Sequence, residues 1–261
     1  MGMTTCCRRR RPSKRADGDD LVDEARQARG LALRSATLMS ALFTRARLGK
    51  LAETGDAWSI AGAIGDSLDR HPDAFLTVMH LRSADEYTYL HSLSVCAMMQ
   101  AVARHMGLDR GECLDAGLAG LLHDLGKTLT PPAILNKPGR LTAAEMRIVR
   151  RHTEDGRSML ESAGIAHRAS LDAALHHHEK FDGSGYPHGL AGERIPLVAR
   201  IASVCDVYDA LTVDRPYRTA LAPGEALRRM QSWQGHFDGN ALHCLVKAIG
   251  LYPGSASCPS P

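Results

Sequence analysis

The row HHEKFDGSGYP, from His177 to Pro187, sets two imidazoles and a carboxylate against a glycine-rich turn that ends in Tyr186. Upstream, His123-Asp124 follows the apolar run Leu118 to Leu122, and downstream Asp206 sits in another apolar stretch. Imidazoles and carboxylates gathered without thiolate suit a catalytic metal ion of the iron, manganese or zinc kind, whereas structural zinc more often takes cysteine pairs. The pattern therefore implies metal-dependent hydrolysis.

Working outward, the surroundings of that row read as helices. Tyr87 to His105, Glu112 to Asp124, Glu145 to Ala163 (stopped by Gly164), Ser170 to Glu179 and Ile195 to Thr212 carry helical apolar spacing. Pro223 opens a further helix, and Phe237 to Gly250 closes the series. Before them, Leu21 to Leu48 reads as a long helix, a second passes through Ile60, Ile64 and Leu68, and a short one follows Pro72. Ser83-Ala84-Asp85-Glu86 and Thr142-Ala143-Ala144-Glu145 have the form of capping boxes, in which a hydroxyl and a glutamate satisfy each other's free backbone amides. Alternating β-branched runs are nearly absent, so the expected fold is all-α. The organisation expected is a basic tail over 1–19, a helical N-terminal region over 20–82, a phosphohydrolase domain over 83–252 and a second tail over 253–261.

Bulk composition narrows the function. The net charge is +3, and Arg8 to Arg11, Lys14 and Arg15 supply six positive charges, so the remainder is slightly acidic. That argues against recognition of nucleic acid through a basic surface, while leaving room for a local phosphate pocket. Seven scattered cysteines without a CxxC pair fit a reducing cytoplasm, and no apolar run approaches the roughly 18 residues of a membrane span.

Thirteen histidines are many for 261 residues, and their clustering matters more than their number. Adjacent helical residues diverge by about 100°, which lets His123 and Asp124 bind one ion together or lets the carboxylate bridge two. Lys127, four residues on, is placed to neutralise a phosphate or leaving oxygen. His91, His152, the His177/His178 pair and Asp206 add ligands from other helices. His176 is read as a packing neighbour of these ligands, His188 as a surface or packing residue, and Cys205 as core.

In order along the chain, LRSADEYTYLHSLSVC, GLLHDLGK, ILNKPGRLT, RHTEDG, HHEKFDGSGYP and IPLVARIASVCDVYDALTVDRPYR resemble the motifs of the HD-GYP domain family. These are all-helical members of the HD superfamily that hydrolyse the bacterial second messenger cyclic di-GMP. The resemblance implies an HD-superfamily helical bundle with His91, His123, Asp124, His152, His177, His178 and Asp206 as metal ligands. It implies Lys127 beside the scissile phosphate, and Asp124 and Lys127 as the catalytic pair. Gly185, Tyr186 and Pro187 would shape the ligand pocket, with Asp209, Arg215 and Arg218 as further substrate-binding residues. Two divalent ions, iron or manganese, are expected. A third is not, because some relatives carry a glutamate four residues before the first histidine and this chain has Tyr87 there.

The reaction implied is metal-assisted phosphodiester hydrolysis of cyclic di-GMP to pGpG, with onward hydrolysis to GMP left open. Signalling proteins or a second copy of the chain are left open as partners. Relatives often begin with a longer β-containing regulatory domain; this chain shows a basic tail and helices instead. Two rival readings are a catalytically silent cyclic di-GMP-binding module and an HD-type phosphohydrolase of another nucleotide.

Overall fold

A computed structural model describes residues 18–51, 55–72, 75–77, 87–214 and 219–250. Its helices are α1 (Gly18–Arg47), α2 (Gly55–Arg70), α3 (Tyr87–His105), α4 (Arg110–Leu122), α5 (Pro132–Leu135), α6 (Ala143–Arg150), α7 (His152–Ser162), α8 (Arg168–His176), α9 (Leu197–Thr212), α10 (Pro223–Ser232) and α11 (Gly239–Ala248). Two 3-10 turns, Leu125–Leu129 and Gly192–Arg194, and helical residues 75–77 complete the set. The all-α expectation holds: among the described residues the only β pairing is an isolated bridge between Asp182 and Ala191. None of the helices is long and apolar enough to cross a membrane.

Helix α3 is the axis of the fold. Every residue from Leu90 to Ala103 is buried, the polar His91, Ser92, Ser94 and Gln100 included, and α1, α2, α4, α9 and α11 pack around it. Met39 and Leu42 of α1 and Ile64 of α2 join Leu93, Met98, Leu118, Leu121 and Tyr208 in one continuous core. Small residues set how closely α3 and α4 cross: a Cβ on Gly120 would lie 2.9 Å from Cys96 Cα. Because the two helices run antiparallel, that contact brings His91, five residues before Cys96, beside His123, three residues after Gly120. Their rings lie 5.3 Å apart.

Several element ends differ from the sequence expectation, and the differences position the site. The segment expected as one helix from Glu145 to Ala163 is two, α6 and α7, separated at Arg151. The new start at His152 follows from tertiary contact: a Cβ on Gly126 would come within 2.0 Å of His152 O and 2.5 Å of Gly156 N, so the Leu125–Leu129 turn is pressed against the first turns of α7. Gly164 ends α7 as expected, at φ 72°, with Ile165 N donating back to Leu160 O. Helix α4 stops at Leu122, leaving His123 at its cap and Asp124 beyond it, and α8 stops at His176, leaving His177 as its cap. The Thr142–Glu145 capping box is present, and Asp109 with Glu112 forms another that the sequence reading passed over. The box expected at Ser83–Glu86 lies outside the described residues.

Candidate metal centre

Helix ends, rather than helix faces, deliver most of the candidate ligands. His123 caps α4, Asp124 follows it, His152 is the first residue of α7, and His177 and His178 follow α8; His91 and Asp206 project from within α3 and α9. The structure gathers all seven into two adjoining groups, His91, His123, Asp124 and Asp206 in one, His152, His177 and His178 in the other. Asp124 joins them. Its Oδ2 lies 3.3 Å from His123 Nε2 and 3.5 Å from His91 Nε2, while Oδ1 lies 3.5 Å from both His152 Nε2 and His177 Nε2. Asp206 Oδ1 is 3.2 Å from His91 Nε2.

The other ring nitrogens decide what these distances mean. His123 Nδ1 donates to Gly120 O at 2.8 Å, His152 Nδ1 to Val149 O at 2.6 Å, and His177 Nδ1 to Ala173 O at 2.8 Å. A carbonyl can only accept, so Nδ1 holds the proton in each ring, and a neutral imidazole then turns an Nε2 lone pair inward. The lone pairs of His152 and His177 face each other 3.3 Å apart, and His123 Nε2 and Asp124 Oδ1 are buried without a hydrogen bond. Electron-rich atoms crowded in this way repel unless a cation lies among them. Two nitrogens each bound ~2.0–2.1 Å from one ion would sit roughly 3.0–3.4 Å apart, which accommodates the observed spacing. The donor set fits a divalent metal.

Charge states agree. Burial pushes His152 down to about 3, with Lys127 adding to it, and burial with the neighbouring His177 holds His178 well below the ordinary imidazole value. Burial would raise Asp124, but Lys127 and His123 overcome it and hold that carboxyl well below its usual range. Asp206 is likewise lowered, its burial outweighed by the hydrogen bond from His91. His91 is the exception: burial favours its neutral form, yet Asp124, Asp206 and Asp209 together raise it well above the ordinary value. Cys205 is fully buried and its thiol is pushed well up by burial, so it stays protonated core beside Asp206.

The remaining sequence candidates take distinct places. Lys127 Nζ pairs with Asp124 Oδ2 across the 3-10 turn, three residues apart, rather than stacking over His123 as helical spacing implied. Asp209, grouped by the motif with substrate-binding residues, has no exposed surface; its Oδ2 accepts a hydrogen bond from His91 Nδ1 at 2.6 Å, so it stands behind His91 and orients it instead of facing a ligand. Tyr186 is half-buried with its ring 4.9 Å from that of His178. Gly185 is required there, since a Cβ would fall 2.3 Å from Lys180 N and 2.5 Å from Glu179 Cα. Pro187 follows Tyr186 through a cis peptide bond. Arg215 and Arg218 lie outside the described residues, as does the side chain of Tyr87.

Two residues to which the sequence reading gave no individual role also bear on the Tyr186 loop. Arg150, the last residue of α6, holds its guanidinium 4.8 Å over the Tyr186 ring, a cation–π contact. Glu179 is buried and accepts from His188 N at 2.7 Å and Leu190 N at 3.1 Å, folding the GYP loop back on α8. No side-chain pattern in the sequence signals this, because the partners of Glu179 are backbone amides.

Comparison with known proteins places this geometry. Residues 74–241 match the family model described as HD domain. A cyclic di-GMP phosphodiesterase of Pseudomonas aeruginosa is 47% identical over 90% of this chain and 57% of its own length. A 3′3′-cGAMP-specific phosphodiesterase of Vibrio cholerae is 37% identical over 72% of this chain and 44% of its own. The chain thus spans about half the length of these curated relatives. Among solved structures, an HDG"Y"P protein of Bdellovibrio bacteriovorus superposes with a TM-score of 0.70 at 18% identity, covering 91% of this chain and 75% of that one, which establishes the shared fold. The chain belongs to the HD-domain family, carrying its His-Asp pair at His123-Asp124 and the HD-GYP row at His177–Pro187.

Proposed function

We propose that this chain hydrolyses cyclic di-GMP to linear pGpG, with His91, His123, Asp124, His152, His177, His178 and Asp206 holding two divalent ions, iron or manganese. The observation that carries the reading is the inward convergence of Nε2 lone pairs on the two oxygens of Asp124, one oxygen facing each group of imidazoles. A carboxylate presented in that way would serve both groups of donors, and a tyrosine at position 87 of the sequence, where a third ion would want a carboxylate, favours two ions over three. Ions held there would supply Lewis-acid charge at the phosphate and lower the pKa of water.

The chain's own groups do the rest. The Nδ1 bonds to backbone carbonyls hold His123, His152 and His177 in one tautomer, so no proton needs to leave Nε2 of these three rings before an ion binds, whereas His91, backed by Asp209, gives up a proton on binding. Lys127, part-exposed and paired with Asp124, is placed to offset charge on the phosphoryl oxygens as water attacks. The Tyr186 ring, steadied by Arg150, offers a flat surface on which a guanine can stack. Arg215 and Arg218 are assigned to the second phosphate by their motif. Burial of the reduced thiols Cys96, Cys113, Cys205 and Cys244 supports a cytoplasmic setting.

The test is anaerobic turnover of cyclic di-GMP with Mn²⁺ or Fe²⁺, read by chromatography beside a His123→Ala/Asp124→Ala control. Formation of pGpG or GMP that disappears in the control supports the reading. Metal and cyclic di-GMP binding without turnover would establish a silent receptor instead. Because a similar protein is named for 3′3′-cGAMP, both cyclic dinucleotides belong in the same assay. Faster cleavage of 3′3′-cGAMP would reassign the substrate.

A further inference from the structure

A third group of metal-competent side chains lies outside the catalytic cluster. It consists of His176 at the end of α8, Glu179 three residues later and His188 just beyond the GYP turn, with one donor atom from each lying within 4.8 Å of the others. None of the three belongs to either group around Asp124. His176 points away from its neighbour His177 because successive residues at a helix end diverge by about 100°.

The surroundings distinguish this group from a chance meeting of polar residues. His176 is 7% exposed, and its Nδ1 is buried with no hydrogen-bond partner. A buried nitrogen left in that state costs free energy unless something binds it. Nδ1 lies 3.8 Å from Glu179 Oε1, too long for a hydrogen bond and within the span of two ligands on one ion. Glu179 is itself fixed, since Oε1 accepts from His188 N and Oε2 from Leu190 N, each oxygen keeping a second lone pair. The His188 ring stands 5.3 Å from that of His176 and is exposed, leaving the open side of the group to solvent.

We infer that His176, Glu179 and His188 form a second metal site, which takes Zn²⁺ or a similar late first-row divalent ion through two imidazoles and one carboxylate. All three ligands fall within residues 176–188, so the ion fastens the loop bearing Tyr186 to the helix end bearing His177 and His178. This inference does not depend on which nucleotide the catalytic cluster cleaves.

The test is Zn²⁺ content per chain after equilibrium dialysis against buffered Zn²⁺, measured by mass spectrometry for four proteins. These are the unaltered chain, His188→Ala, His123→Ala/Asp124→Ala, and the triple variant. His188 is exposed, so its removal leaves the fold intact, checked by far-UV circular dichroism. The expected result is a loss of about one Zn²⁺ per chain on His188→Ala in both backgrounds. Alongside it, hydrogen exchange of amides 183–190 slows on adding Zn²⁺ to His123→Ala/Asp124→Ala, and not in the triple variant. Unchanged Zn²⁺ content on His188→Ala overturns the site. A loss confined to the background with His123 and Asp124 intact also overturns it, by showing that His188 acts through the catalytic cluster.

Discussion

The buried metal-ligand cluster, the floor of the site, and the exposed segment beside it, called the overhang, are built on different principles. The floor consists of His91, His123, Asp124, His152, His177 and Asp206, all buried and carried by helices whose other faces make the core. The overhang, α5 and α6, has no buried residue, and Leu135, Met146 and Ile148 are exposed on it. Local devices hold it: the Thr142–Glu145 box, two bonds from Lys137 Nζ to the Glu145 carboxylate at 2.9 and 2.8 Å, and Arg150 on Tyr186. Closely packed electron-rich donors need the rigidity of a core, whereas a segment without buried residues opens at little cost. Damage to the floor should therefore cost activity and stability together, and damage to the overhang should cost activity with stability nearly unchanged.

The strongest test of that contrast is at Asp124, which serves both imidazole groups. Asp124→Ala with His123→Ala should lower turnover by about 10³-fold or more, with loss of the bound catalytic ions seen by elemental analysis. Retained metal with lost turnover would mean that the pair acts on substrate rather than on metal.

Next is Gly126→Ala, which touches neither metal nor substrate. A Cβ 2.0 Å from His152 O must push α7 off the Leu125–Leu129 turn, and a loss of about 3 kcal/mol in urea unfolding is expected, with weaker metal binding. If stability fell while metal affinity held, the placement of His152 would be less dependent on this contact than its geometry indicates.

A third expectation concerns acid in the metal-free protein. His152, brought down to about 3, and His178, also lowered, are neutral when folded and take up protons near 6.5 when unfolded. Their contribution is complete above about 6.5 and falls as pH drops from there towards 3. The lowered carboxyls of Asp124 and Asp206 lose their contribution only further down, below their unfolded value. His91 is raised, so its contribution is full below about 6.5 and fades only as pH rises through its folded pKa; it does not offset the acid loss. Urea midpoints of the chelated protein should therefore decline from pH 6.5 downwards, and His152→Gln should flatten that decline.

The smallest effect is expected from Thr142→Ala in the overhang. Loss of the cap should cost α6 about 1 kcal/mol, seen as faster amide exchange over 143–150 and a rise in KM, with global unfolding unaltered. A fall in global stability equal to the local one would erase the distinction between floor and overhang.

Much of this was legible in the chain. Helical spacing marked α3, α4 and α9, Gly164 marked the end of α7, and the order of six motifs selected the seven side chains that the structure brings together. Periodicity could not show the break at Arg151, because local propensity continues through it and a glycine more than twenty residues away imposes it. Helical spacing likewise set Lys127 over His123 when it lies in a 3-10 turn, and the family motif grouped Asp209 with the ligand pocket when it backs His91.

The sequence by itself determined the helical class, the donor types and their order, since these follow from side-chain chemistry and from apolar period, which are properties of the chain alone. Only the tertiary structure decided which nitrogen of each imidazole faces inward, that Asp124 offers one oxygen to each group, and that His176 meets His188. Those facts depend on where α4 and α8 stop and α7 starts, and the start of α7 is set by the contact of Gly126 with His152 and Gly156, more than twenty residues along the chain.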